Sequence, residues 1–229
     1  MKQVCCLLLI LNFALVLAQS VELFAFPKIV IEGQTRQNFI PSGWTLVDSA
    51  LGDLNKDHEM DMAFIIKSND SLTTYTVKEQ QGEAFVEVNR KEKYPRRILI
   101  VILKQPHKNS YRLINQSNSM IVGQNTKIEI VNHALKIEYN TSMHESTFSI
   151  SSNYYFSYQN EQLWLSKFDR LSISGEQTEY CVIDFINKKM ESTKGKAASA
   201  WKKLDTIQLK TMEEFKQPFV WYITEGITI

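Results

Sequence analysis

Lys127-Ile128-Glu129-Ile130-Val131-Asn132-His133-Ala134-Leu135-Lys136-Ile137-Glu138-Tyr139 reads as two alternating segments around a two-residue turn. Apolar and charged side chains change places at nearly every step, the period of a strand with one dry and one wet face. Asn132-His133 between them reads as a two-residue hairpin turn. Upstream, Ile98-Leu99-Ile100-Val101-Ile102-Leu103 has no polar interruption, as expected of a central strand covered on both faces. It requires a second layer, helix or sheet, over each side. Downstream, residues 148–158 alternate again, and Gln159-Asn160-Glu161 signals a hairpin before Gln162-Leu163-Trp164-Leu165. Thr73-Thr74-Tyr75-Thr76-Val77 and residues 180–186 have strand composition. Residues 24–39 read as irregular, with a short strand at Val30-Ile31 and a helical turn within 35–39. Residues 197–215 predict a helix, with Ile207-Gln208-Leu209 open to a short strand instead. The fold expected is mainly β, with α+β as the alternative: antiparallel sheets, hairpins and a short C-terminal helix.

Residues 1–18 have the make-up of a secretory signal. Lys2 gives a positive start, residues 4–17 an apolar run broken only by Asn12, and Val16-Leu17-Ala18 a small-residue cleavage site before Gln19. The run is shorter than the roughly 20 residues that span a bilayer as a helix, so no transmembrane segment is expected after cleavage. Cleavage takes Lys2 from the 26 Lys+Arg and none of the 25 Asp+Glu, leaving formal neutrality. Neutral balance gives no electrostatic reason for nucleic acid or an anionic membrane as partner. Cys5 and Cys6 leave with the leader, so Cys181 stands alone and no internal disulfide is expected. The organisation expected is a leader, 1–18, and one β-rich domain, 19–229, with two lobes meeting near 105–126 as the rival. The location expected is the periplasm or the exterior.

Asp53-Leu54-Asn55-Lys56-Asp57-His58-Glu59-Met60-Asp61 separates two strand-like segments. Side-chain oxygens at alternate positions 53, 55 and 57, a carbonyl near Glu59 and a closing Asp61 match the oxygen ligands Ca²⁺ takes from a tight turn. This is not a helix-flanked EF-hand, whose twelfth position carries Glu; here it is Phe64. The sixth loop position is normally Gly, because the chain turns there with positive φ. His58 in its place implies strain of about 1–2 kcal/mol. The alternative is an empty acidic turn closed by Asx-type hydrogen bonds.

Over roughly residues 45–67 this strand–loop–strand resembles the calcium loop of FG-GAP/VCBS-type repeats. The resemblance implies Asp53, Asn55, Asp57 and Asp61 as side-chain ligands, Glu59 as a backbone ligand, and Ca²⁺ as the cofactor. Those repeats build propellers of four or more blades, and one copy here makes no propeller. More broadly, Phe39-Ile40-Pro41-Ser42-Gly43-Trp44, the loop, the run 98–103 and the aromatic stretch 153–165 resemble a group of exported bacterial proteins. That likeness carries no activity with it.

No other constellation reaches a recognised catalytic spacing. His58, His107, His133 and His144 fall in segments read as loops or turns, none paired as metal ligands. Ser174-Gly175 lacks the frame of a nucleophile elbow. Cys181 lies in an apolar strand, the setting of an inert thiol. Glu129 and Glu138 are expected to face each other across the hairpin, which has the look of a glycosidase carboxylate pair but reads better as two solvated charges on the polar side of the strands. Tyr154, Tyr155, Phe156, Tyr158 and Trp164 alternate, sending about half their rings outward as a recognition face for a protein or cell-surface glycan. The expectation is a non-catalytic exported binding or structural protein with one calcium-stabilised loop. The alternative is a periplasmic immunity or inhibitor protein that neutralises a secreted toxin. A hydrolase comes third.

Overall fold

The computed structural model describes residues 25–69, 73–81, 84–92, 95–123, 125–142, 148–195, 199–224 and 227–229. The expected leader and its processing point lie outside the described residues, as does His144. Two antiparallel sheets dominate. The first contains β1 (Glu32–Gly33), β2 (Trp44–Gly52), β3 (Asp61–Ser68), β6 (Arg97–Lys104) and β7 (Tyr111–Ser117), in the spatial order β1-β7-β6-β3-β2. A separate hairpin, β4 (Thr73–Gln81) with β5 (Ala84–Glu92), is inserted between β3 and β6.

The second sheet is a meander in which every strand pairs with its sequence neighbour. It runs through β8 (Thr126–Val131), β9 (Ala134–Ser142), β10 (Phe148–Gln159), β11 (Gln162–Ser174), β12 (Gln177–Asp184), β13 (Lys189–Lys194) and β14 (Lys202–Lys203). Its turns follow the sequence. Asn132 and His133 take φ of 50° and 59° between β8 and β9, and Asn160 and Glu161 take 50° and 63° between β10 and β11. Positive φ at both central residues gives a turn whose twist matches that of the flanking strands.

The run 98–103 is β6, at the centre of the first sheet. Ile98, Ile100 and Ile102 face a cluster with Ile29, Phe39, Phe64 and Ile66. Leu99, Val101 and Leu103 face a larger cluster shared with Leu135, Ile137, Tyr154, Phe156, Phe168 and Ile183 of the second sheet. The two layers the run required are thus the N-terminal segment on one side and the meander on the other. The N-terminal cover includes a 3₁₀ turn, Arg36–Phe39, which seats Phe39 in its cluster. Each fully buried side chain of this kind contributes about 1.5–3 kcal/mol relative to exposure.

The predicted helix over 197–215 does not form among the described residues, where α1 (Met212–Phe215) is its only helical part. Lys202–Lys203 instead pairs with the edge of β13, and Leu165 N–H donates to the Lys210 carbonyl (2.9 Å). Sheet-edge hydrogen bonds have overridden a helix-like spacing of apolar residues. Thr211 caps α1, its Oγ1 accepting from Glu214 N–H (3.2 Å) while Glu214 Oε2 accepts from Thr211 N–H (2.9 Å). Beyond it, β15 (Tyr222–Thr224) and β16 (Ile227–Thr228) form a small ribbon that places Ile229 in the main core. The strand expected at 180–186 is shifted: β12 ends at Asp184, and Ile186 is exposed in the turn. Among the described residues no helix is long and apolar enough to cross a membrane.

Candidate metal centre

The acidic loop joins β2 to β3 beside a close approach of the two sheets. A Cβ on Gly52 would stand 2.5 Å from Ile130 Cγ2, so the end of β2 meets β8 only because residue 52 has no side chain. Leu54 then turns inward as a plug, 1% exposed in the main core. That plug forces the residues around it to curl outward as a loop. Lys56 and His58 take φ of 66° and 68°, so the position where a calcium loop carries Gly is left-handed here in a histidine.

The carboxylates organise the curl. Asp53 Oδ1 accepts from the N–H groups of Lys56 (2.6 Å) and Asp57 (3.2 Å), and its Oδ2 from His58 N–H (3.1 Å). Asp57 Oδ1 accepts from Glu59 N–H (2.8 Å), and its Oδ2 from Asn55 Nδ2 (2.8 Å). Asn55 Oδ1 accepts from Asp57 N–H (3.2 Å). Desolvation pushes the Asp53 carboxyl up, but the N–H donors of His58, Lys56 and Asp57 together with His133 bring it below its ordinary value.

Asp61 closes the loop and is 0% exposed. Its Oδ2 accepts from Leu54 N–H (2.8 Å) and its Oδ1 from Lys104 N–H (2.9 Å), which ties the loop to the end of β6. Burial first, and the nearby Asp57 charge second, push its pKa up to about 6 against the opposing pull of those donors. A second clamp comes from the meander, where His133 Nδ1 lies 2.8 Å from the Asp53 carbonyl oxygen. The carbonyl can only accept, so the proton sits on Nδ1. The same nitrogen is 3.7 Å from Asp53 Oδ2.

Asp53, Asn55 and Asp57 are therefore drawn into one hydrogen-bonded turn with Asp61 beneath it. Glu59 is exposed and contributes its N–H to Asp57. Among the described residues no three His, Cys, Asp or Glu side chains stand assembled around a common point. The donor set still fits Ca²⁺ in kind, since every side chain is a hard oxygen donor and the chain follows the expected left-handed path. Taking the ion requires Asn55 to turn its amide away from Asp57 and the carboxylates to exchange N–H partners for metal.

The other sequence candidates are placed as follows. Glu129 does not face Glu138, because Glu129 pairs across the hairpin with Lys136 and Glu138 with Lys127. Lys136 Nζ bridges the two acids at 3.2 and 2.9 Å. Cross-strand register puts opposite charges together, which stabilises the pair of strands. Tyr154 and Phe156 are fully buried, whereas Tyr155, Tyr158 and Trp164 are half-buried. Cys181 is buried, and burial pushes its thiol pKa up. His58 and His107 are exposed. The sequence reading missed His133 as a clamp; no local signal marks it, because its partner lies 80 residues away. Comparison with protein families, with curated proteins and with solved structures finds no match to this chain.

Proposed function

We propose that this chain is an exported, non-catalytic binding or structural protein of the bacterial envelope, located in the periplasm or outside the cell. Its loop 53–61 takes up Ca²⁺ as a structural ion. One observation supports the reading above others: Asp61 is a fully buried carboxyl beside Asp57, and burial pushes it up to about 6 even though Leu54 and Lys104 N–H both donate to it. Burying a carboxylate in this way is costly unless a countercharge compensates it. A divalent ion held by Asp53, Asn55, Asp57 and Asp61, with a backbone oxygen at Glu59, supplies that countercharge. The ion's chemistry here is to neutralise and pin the junction of β2, β3 and β6. Equilibrium dialysis of the purified protein against Ca²⁺ tests this. One ion bound per chain, lost in Asp57→Ala, is the expected result, and zero uptake refutes it.

A further inference from the structure

A second site lies at the opposite end of β8 from the hairpin turn, where β8 and β9 border the C-terminal segment. A cleft of about 370 Å³ opens there, bordered by Gly123, Asn125, Tyr139, Asn140, Thr141 and Phe219. Its volume falls at the lower end of the range for small-ligand pockets, roughly 300–1,000 Å³. None of its described lining residues is Asp, Glu, Lys, Arg or His. A described lining of amides, hydroxyls and aromatic rings offers an uncharged ligand hydrogen bonds and a contact face, but offers an ion no countercharge.

The polar groups that are present have a particular character. Asn140 donates its Nδ2 to Glu138 (2.5 Å), which fixes the amide and leaves Oδ1 as an acceptor. Asn125 and Thr141 are exposed at the rim and offer both donors and acceptors. Thr126 Oγ1 donates to the Val122 carbonyl (2.8 Å), holding the wall in place. Arg97 Nη1 donates to the Gly123 carbonyl (2.8 Å).

Phe219 is the decisive residue. It is 46% exposed, yet its backbone φ is 65°, a region that bulky residues seldom occupy. The ring rests edge-on against Tyr139 (5.4 Å between centroids) and Tyr154 (6.1 Å) and borders the cleft with the remainder of its surface. A glycine at 219 would sit there without strain; the packing of the ring on Tyr139 and Tyr154 holds an aromatic there, with the rest of its surface open to contact. An aromatic ring beside amides and hydroxyls complements a molecule with an apolar C–H face and a rim of hydroxyl groups.

We infer that this cleft binds one or two units of a neutral, uncharged glycan. The inference rests on the binding reading above and gives it a ligand class and a place; it does not depend on the calcium loop.

The test is a titration of ¹⁵N-labelled protein with millimolar chitotetraose, cellotetraose, maltotetraose, mannotetraose and galactotetraose, followed by amide chemical shifts. The expected result is that at least one sugar shifts the Gly123 and Phe219 backbone amides and the Asn125 and Asn140 side-chain amides. Phe219→Ala and, at the exposed rim, Asn125→Ala then weaken binding by about tenfold or more. If Phe219→Ala fails to fold, the exposed Asn125→Ala carries the test alone. Silence of the cleft toward every sugar overturns the inference, and so does binding that both variants leave unchanged. Polygalacturonate or a peptide shifting amides elsewhere overturns this site while leaving the broader binding reading intact. Ca²⁺ titrated into the same samples reports on loop 53–61 separately.

Discussion

His133, in the turn between β8 and β9, donates from Nδ1 to the carbonyl of Asp53, the first residue of the loop between β2 and β3. This side-chain hydrogen bond joins the two sheets beside the Gly52–Ile130 approach. It also orients the first acidic residue of the loop, so sheet packing and loop shape depend on each other.

His133→Ala removes that donor and leaves the Asp53 carbonyl to water, since both groups are partly exposed. A loss of about 0.5–1.5 kcal/mol of folding stability is expected. For a chain of this size that corresponds to a fall in Tm of roughly 1–6 °C. Thermal denaturation followed by circular dichroism checks it; an unchanged midpoint means the clamp carries no weight.

Under the proposed function, Ca²⁺ bound at loop 53–61 acts on the folded state alone, because the unfolded chain does not gather four oxygens. Calcium sites of extracellular modules have Kd of about 10⁻⁴–10⁻³ M. At free Ca²⁺ about tenfold above Kd, mass action adds roughly 1.4 kcal/mol. The expected rise in Tm is roughly 3–6 °C. Mg²⁺ does less, because it gives up its waters reluctantly. Asp57→Ala abolishes the calcium-dependent rise, and His58→Gly enlarges it by relieving the positive φ. If millimolar Ca²⁺ moves neither wild type nor His58→Gly, the loop is an empty turn.

Asp61 gives the apo protein a defined pH signature. Its pKa is about 6 in the folded state and about 3.9 in the unfolded chain. The folded state therefore binds more protons between those values, and the Asp61 contribution to stability is fully present below about pH 4 and lost as pH rises through 6. The whole effect is of the order of 3 kcal/mol. Asp61→Asn removes the titration but turns one acceptor into an NH₂ facing a backbone N–H, at a cost of about 1–3 kcal/mol. The stability of wild type minus that of Asp61→Asn, measured by urea unfolding in EDTA from pH 4 to 7.5, should fall steadily as pH rises, toward zero or below. A difference independent of pH contradicts the assignment. Saturating Ca²⁺ should flatten the slope by holding Asp61 ionised.

Cys181 should react with a thiol reagent only as the protein unfolds. It is buried, and its thiol pKa is raised, so little nucleophilic thiolate is exposed. Native labelling as fast as labelling in denaturant would show an accessible nucleophile instead.

The sheet architecture was legible where one signal dominated. The run 98–103 could satisfy its apolar side chains only as a covered strand, and it does. The turns at 132–133 and 160–161 were legible because Asn tolerates positive φ. The tail misled because its apolar residues recur at helix-like intervals but serve different neighbours. Ile207 and Met212 enter the main core, Trp201 and Leu209 stay exposed, and Lys202–Lys203 satisfies a sheet edge. In the loop, the spacing announced a positive φ at His58. The spacing could not announce Lys104, His133 or the strained Phe219, whose roles depend on chain segments that meet only after folding.

The order of strands in the meander bears on how the chain reaches its structure. Strands β8 to β13 each pair with the next through a short connection, so loop closure costs little entropy at every step. The first sheet is different: β1 pairs with β7 through Glu32↔Arg112, and β3 reaches β6 only across the β4–β5 hairpin. Residues 126–194 should therefore acquire protected amides first when the chain refolds, with the first sheet closing later onto that template. Pulse-labelling hydrogen exchange would show this as early protection at Ile137 and Phe168 and late protection at Arg112. During synthesis the N-terminal half would then emerge first yet wait for the C-terminal half to give it a surface to fold on.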